Sequence, residues 1–355
     1  MSLAFVGRPG QINLAGDQVA LFLKIFGGEV LGTFKRMNKF RDLTLVKSIP
    51  AGKDATFPAY GKAVANFYAV GDNIFDDAAG LDYPTKFAHN EAIISVDNPL
   101  ISNVLVSQID ELMNYYDVRA PYAEELVRAI KTQDDVFCAI TGFRSARAAA
   151  PLTGGQRGTV LFDAGLGGTT LTVTILEKAL RVASQLMDQN DVPREDRFCA
   201  LPPSHYHQLL STSNVVSTTL GMQSVGPRSA NSDFGGRGSI VDAMVARLYG
   251  FELFMTNNLP NTNITVNPTG ARNTYTGDFS NSVGLCFHRS AIGTVDRLGL
   301  DMEAGWERAI QSYAIIAKLV SGHGPLKGWG AIELNKEATA LLGTGNEVAL
   351  NTFPA

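Results

Sequence analysis

The sequence predicts an α+β protein built around one long rod helix and one long projecting β-hairpin. Three observations carry this. Apolar residues recur at spacings of three and four from Tyr122 to Ala146, the helical period. Extended apolar runs at Leu43–Ile49 and Ala92–Val96 bracket a stretch broken by Gly52, Pro58, Gly61, Gly71, Gly80 and Pro84. Beyond the rod helix, short strand-like and helical segments alternate.

Taken in order, the first fifty residues form a basic arm. Residues 1–50 hold seven basic and three acidic side chains, whereas 51–117 hold three basic and ten acidic ones. The excursion between the two extended runs cannot bury its own backbone, and loops of that length usually carry function. In the rod helix Pro121 suits the first turn, Asp117 is a candidate cap and Pro151 is the stop. At 1.5 Å per residue, about 28 residues make a rod of roughly 40 Å, long for one globular domain. A second helix is expected over Leu171–Met187, a strand over Arg197–Leu201 and a short helix from His205 to Leu210. Strands follow at Phe251–Met255 and at Val283–Phe287, the latter continuing to Ile292–Val295. Glu303–Leu319 reads as helix, then Ser321–Gly330 as glycine-rich text and Ala331–Leu334 as a closing strand.

Composition excludes several function classes. With 45% hydrophobic and 18% charged residues the chain folds around a real core, and a net charge of −4 removes the basic excess of a dedicated nucleic-acid or membrane binder. Cys138, Cys199 and Cys286 sit among apolar neighbours and read as buried thiols of a reducing compartment. The first residues lack a signal-peptide core, and Lys24 and Lys318 interrupt the longest apolar stretches, so a soluble, unexported protein is expected.

Catalytic motifs are sought and not found. Gly165-Leu166-Gly167-Gly168 resembles half of a phosphate loop, but Thr170 stands where a dinucleotide fingerprint needs glycine. His205 and His207 diverge on a helix and read as a solvated helix start rather than a metal site. His288 and Ser290 share a strand face with no third member, so structural hydrogen bonding is expected. Asn263-Ile264-Thr265 is an incidental glycosylation pattern. No cofactor, metal or catalytic residue is assigned. A small-molecule enzyme using 165–168 and a nucleic-acid binder using the basic arm stay as alternatives.

Several long ordered strings resemble the major capsid proteins of T-seven-like short-tailed phages. They are Leu21-Phe22-Leu23-Lys24-Ile25-Phe26-Gly27-Gly28-Glu29-Val30-Leu31, Asn114-Tyr115-Tyr116-Asp117-Val118-Arg119, Gly284-Leu285 with His288-Arg289-Ser290-Ala291-Ile292-Gly293-Thr294-Val295, and Ile315-Ile316-Ala317-Lys318 with Gly322-His323-Gly324. Ser48-Ile49, Gly52-Lys53, Phe57-Pro58, Gly61 and Gly71 add to the likeness. The resemblance implies the Hong Kong 97-type capsid fold: an N-terminal arm (1–45), an extended loop (46–97), a peripheral domain with spine helix (98–170), an axial domain (171–280), a peripheral return (281–334) and a tail (335–355). It also implies hexamers and pentamers of this chain, a separate scaffolding protein, a portal ring, enclosed double-stranded DNA held by weak contacts, and no membrane. Phe57, Pro58, Arg119, His288 and Arg289, in the matching strings, become candidates for intersubunit surfaces. The charge split adds a second set, in which Lys35, Arg36, Lys39 or Arg41 of one subunit meets Asp72, Asp76 or Asp77 of another. Lys53 and Lys62 are candidates for a covalent cross-link, which the short-tailed resemblance argues against.

Overall fold

A computed structural model describes residues 38–61, 65, 67, 70, 89–108, 119–150, 156–167, 171–210, 247–337 and 347–353. Lys35, Arg36, Lys62, Asp72, Asp76, Asp77 and the glycine cluster at 221–238 lie outside these residues. Two sheets and one long helix organise the rest. A four-stranded sheet has the order β1 (Leu45–Ser48), β12 (Ile292–Glu307), β13 (Ser312–Pro325), β4 (Leu100–Ser107), with only β1 and β12 parallel. A seven-stranded mixed sheet has the order β15 (Glu347–Ala349), β5 (Thr159–Phe162), β14 (Ala331–Asn335), β11 (Ser282–His288), β6 (Arg197–Leu201), β8 (Phe251–Met255), β7 (Arg247–Leu248). β2 (Asp54–Tyr60) and β3 (His89–Ser95) pair antiparallel as a separate hairpin, and β9 (Asn263–Ile264) with β10 (Gly277–Asp278) as a small one.

Period-two alternation sorts the seven-stranded sheet onto two cores. Cys199, Leu201, Cys286, Ile332 and Leu334 face the helices α2 (Val173–Gln189) and α3 (Pro203–Leu210). Their neighbours Phe198, Ala200, Leu285, Phe287 and Ala331 face the C-terminal half of α1 (Arg119–Ala146). The N-terminal half of α1 packs instead on the four-stranded sheet, where Leu126, Val127 and Ile130 meet Leu100, Ala317 and Leu319. One rod therefore spans both sheets. No described helix is long and apolar enough to cross a membrane.

The rod helix and the strands at 197–201, 251–255 and 331–335 agree with the sequence reading. A hairpin projects as expected and its return arm is β3, but its first arm is β2 (Asp54–Tyr60) rather than the run at 43–49, which instead gives β1 and pairs with β12. Glu303–Leu319 does not: it is β-structure, the distal part of the long β12–β13 hairpin. Its apolar residues also satisfy a period of two, with Ile315, Ala317 and Leu319 buried on one face. Its β-branched and aromatic content favours that alternative. At Gly322 in β13 a Cβ would collide with the carbonyl of Ser95. Glycine there lets the hairpin base approach the sheet at backbone distance.

Candidate assembly surfaces

The base of the arm is bolted to the body from several sides. Phe40 is fully buried, its ring 5.3 Å from that of Phe254 and 5.8 Å from that of Phe287, and its amide donates to Asp135 Oδ1 at 2.7 Å. Arg41 reaches Asp134 of α1 at 2.6 Å and Asp296 of β12 at 2.7 Å. The cation expected to meet a neighbour's acids thus makes two ion pairs within its own chain. Lys39 is exposed.

Behind Arg41 lies a buried polar knot. His323 Nε2 is 3.0 Å from Asp134 Oδ1, and its Nδ1 is 3.4 Å from Cys138 Sγ and 3.1 Å from Thr294 Oγ1. Burial pushes the Asp134 carboxyl up, but the hydrogen bond and charge of His323 together with Arg41 outweigh it and hold it well below the usual carboxylate range. Burial opposes a charge on His323 too, yet Cys138 and Asp134 raise it well above the ordinary histidine value. Burial raises the Cys138 thiol. The order Cys138, His323, Asp134 is that of a thiol triad, but the Cys138 side chain is wholly buried, so its sulfur faces no surface from which a substrate could reach it. The adjoining 90 Å³ cavity is lined by Asp97, Asp134, Tyr275, Ser321 and His323, not by Cys138. Asp134, Cys138 and His323 also have their donor atoms within 4.8 Å of one another. Asp134 and Cys138 contact opposite nitrogens of the ring, however, and Arg41 already occupies the carboxylate, so the geometry is that of a charge knot rather than a metal cage.

The other candidates are spread over the β2–β3 hairpin, the start of α1 and the end of β11. Phe57 is half-buried with Lys47 Nζ 4.9 Å above its ring, and Pro58 is exposed opposite Glu91. Arg119 opens α1. Arg289 is exposed and its Nε donates to the Thr44 carbonyl at 3.2 Å. His288 Nδ1 lies 2.8 Å from Ser290 Oγ, the structural hydrogen bond expected, and burial lowers the imidazole. Contrary to the solvated reading, His205 is buried, with Nε2 2.9 Å from the Leu166 carbonyl. The Gly165 amide donates to Asp163 Oδ1 at 2.8 Å, closing a local turn before α2. All three cysteines are free and buried.

Apolar side chains stay in solvent on both projecting hairpins. Tyr60 and Ile93 on β2–β3 are 68% and 57% exposed, and Met302 and Trp306 on distal β12 are 47% and 40% exposed. Among the described residues β4 is an unpaired sheet edge without a charge or proline along Leu100–Ser107. Natural proteins blunt such edges or cover them. Surfaces of this kind belong to a subunit of a larger assembly.

A family model described as Gp10A-like, major capsid protein, matches residues 56–335. The chain belongs to the Gp10A-like major capsid protein family. It is 31% identical to the major capsid protein of Enterobacteria phage T3, over 92% of this chain and 95% of that one. To the major capsid protein of Escherichia phage T7 it is 29% identical over 88% and 91%. Among solved structures, the capsid of cyanophage P-SCSP1u superposes with a TM-score of 0.76 at 32% identity, covering 93% of this chain and 98% of that one. The fold is the Hong Kong 97-type capsid fold, and the role is structural, in the wall of the virion.

Sequence reasoning missed the contact that joins the spine helix of this capsid subunit to its seven-stranded sheet. Arg147, just past α1, pairs with Glu333 of β14 through Nε–Oε2 and Nη2–Oε1, each 2.6 Å, and its Nη1 donates to the Asp278 carbonyl at 2.7 Å. Ser282 Oγ adds a bond to Glu333 at 2.6 Å. The partners lie 186 residues apart. Asp134 did leave a signal: two adjacent acids ahead of Val136-Phe137 interrupt the apolar face of a helix, and such an interruption asks for buried partners.

Proposed function

We propose that this chain tiles hexamers and pentamers of an icosahedral head that encloses double-stranded DNA, assembled in the host cytoplasm with a scaffolding protein and with a portal ring at one vertex. The observation that carries the reading is the pair of projecting hairpins with apolar side chains in solvent, on a chain of a major capsid family. Residues 1–45 act as the arm and 46–97 as the extended loop, reaching neighbouring subunits. Residues 98–170 and 281–334 form the peripheral domain, 171–280 the axial domain around the capsomer centre, and 335–355 the tail. Phe57 and Pro58 lie on the loop's contact surface, and Arg119, His288 and Arg289 on surfaces that neighbours complete. With Arg41 held by its own chain, Lys35, Arg36 and Lys39 are the arm cations left to meet Asp72, Asp76 and Asp77 of another copy. Each exposed pair is worth only about 0–1 kcal/mol, so the pairs set register rather than strength.

Electron microscopy of the expressed full-length chain, with and without a co-expressed scaffolding protein, tests the reading. Closed or sheet-like assemblies are expected; monomers or dimers alone, even with scaffold, overturn it. Asp76→Lys with Asp77→Lys should impair assembly, and reversal of Lys35, Arg36 and Lys39 to Glu in the same chain should partly restore it. Normal assembly of the first variant at low salt would refute the pairing.

A further inference from the structure

β6 and β11 run antiparallel inside the seven-stranded sheet, in a register that sets Cys199 directly opposite Cys286. With Leu253 of β8 on one flank and Ile332 of β14 on the other, the two cysteines complete a row that faces α2 and α3. Both are fully buried, and the Cys286 thiol donates to Cys199 Sγ at 3.2 Å. Cys138, the third cysteine of the chain, packs in the other core, against His323. A buried cysteine often serves only as a small hydrophobe. Packing under a helix accounts for one such residue at either position, but it does not call for two sulfurs on the same rung of the ladder.

Directly opposed residues of an antiparallel pair have Cα atoms about 4.5 or 5.5 Å apart, according to the rung. A disulfide accepts Cα separations of about 4.4–6.8 Å, so either rung suits one without moving the strands. The sulfurs have only to close from 3.2 Å to about 2.05 Å, a change within reach of the side-chain torsions. We propose that Cys199 and Cys286 are a dithiol poised to close into an intrachain disulfide, with a hydroperoxide as the oxidant. One sulfur, as its thiolate, attacks a peroxide oxygen; the O–O bond breaks, the leaving hydroxide takes up a proton as water, and a sulfenic acid remains. The second sulfur attacks the first, forms the S–S bond and expels a second water. Two thiols and one hydrogen peroxide thus give one disulfide and two waters, and the protein loses two hydrogens. Burial and the neighbouring thiol both raise the Cys199 thiol, so the first attack is slow while the sheet stays closed. The bond would join strands 87 residues apart in sequence, pin β6 to β11 and restrict the unfolded chain. The pairing rests on the register of the sheet and not on the capsid reading.

The test treats the full-length chain with hydrogen peroxide, alone and in urea below the unfolding transition, where transient opening of the sheet admits the oxidant. Remaining thiols are alkylated in denaturant, and the chain is digested with trypsin without reduction. Peptides 198–228 and 273–289 should appear joined and two hydrogens lighter than their sum, with the Cys138 peptide, 132–144, joined to neither. Dithiothreitol should separate them. The oxidised chain should unfold at a urea midpoint about 1–2 M above that of the same sample after dithiothreitol. Cys138→Ala should leave the link intact. Cys286→Ala should carry Cys199 on to the sulfinic acid, because no second thiol is at hand to capture the sulfenic acid. Both peptides recovered only as free or over-oxidised cysteine from wild type in both conditions would overturn the proposal. So would links that involve Cys138 equally often, or a link that leaves the midpoint where it was.

Discussion

Replacing Arg147 by Met would leave Glu333 as a carboxylate of zero exposure without its cation. Ser282 Oγ and Asn335 Nδ2 would remain as its donors, at 2.6 and 3.2 Å. Removing one partner of a buried pair typically costs about 3–5 kcal/mol, because the surviving charge stays desolvated. Loss of the bond to the Asp278 carbonyl and of the stacking on the Phe279 ring, 4.9 Å away, adds to that cost. At a slope of roughly 2 kcal/mol per molar urea, 4 kcal/mol moves the midpoint down by about 2 M. Urea titration of the full-length chain at low protein concentration, followed by tryptophan fluorescence, measures this, because Trp329 packs against the core. The double variant Arg147→Met/Glu333→Leu removes both charges and should recover most of the loss. A single-variant cost below about 1 kcal/mol, or a double variant no better than the single, would refute the argument.

Five further outcomes are expected. His323 contributes stability that is complete below about pH 6.5 and drains as pH rises through its raised folded value; between pH 7 and 10 the unfolding midpoint of wild type should therefore fall more steeply than that of His323→Gln. Asp134, held low, keeps its contribution from about pH 3.9 upward and loses it only in strong acid, so Asp134→Asn should destabilise throughout the neutral range. Gly322→Ala should cost about 1–3 kcal/mol by overpacking against Ser95, read as a lower thermal midpoint with faster proteolysis of the hairpin. The three cysteines should resist a thiol reagent in the folded chain and react fully in urea, while a denaturing gel of mature shells should give one band near 38.1 kDa, a ladder indicating cross-links.

Legibility followed how local each determinant is. α1 was readable because its apolar period and Pro121 lie within the element itself. β6 and β14 were readable because short apolar runs between turn residues leave little choice of state. The 303–319 segment misled because its run of adjacent apolar residues fits either period, and only pairing with β4 and β12 decides for strand. His205 misled for a related reason: its partner, the Leu166 carbonyl, lies 39 residues away. Of the surface candidates, the sequence pointed to Arg41 as a charge but not to its partners at 134 and 296, which only the folded junction brings together.

The placement of the buried charges follows from the job of α1. Its first half packs on one sheet and its second half on the other, so any rotation of the rod would shift the two sheets against each other. Apolar packing alone tolerates small slides, because exchanging one methyl contact for another costs little. An ion pair on a buried carboxylate does not, since a shift of an ångström strands a desolvated charge. The rod carries one such device at each sheet: Asp134 with Arg41 and His323 at the four-stranded sheet, and Arg147 with Glu333 just beyond its end at the seven-stranded one. Buried pairs are weak sources of net stability but can specify geometry. A capsid subunit repeated many times needs that specification, because a small error in the angle between its sheets recurs at every copy and the shell then fails to close.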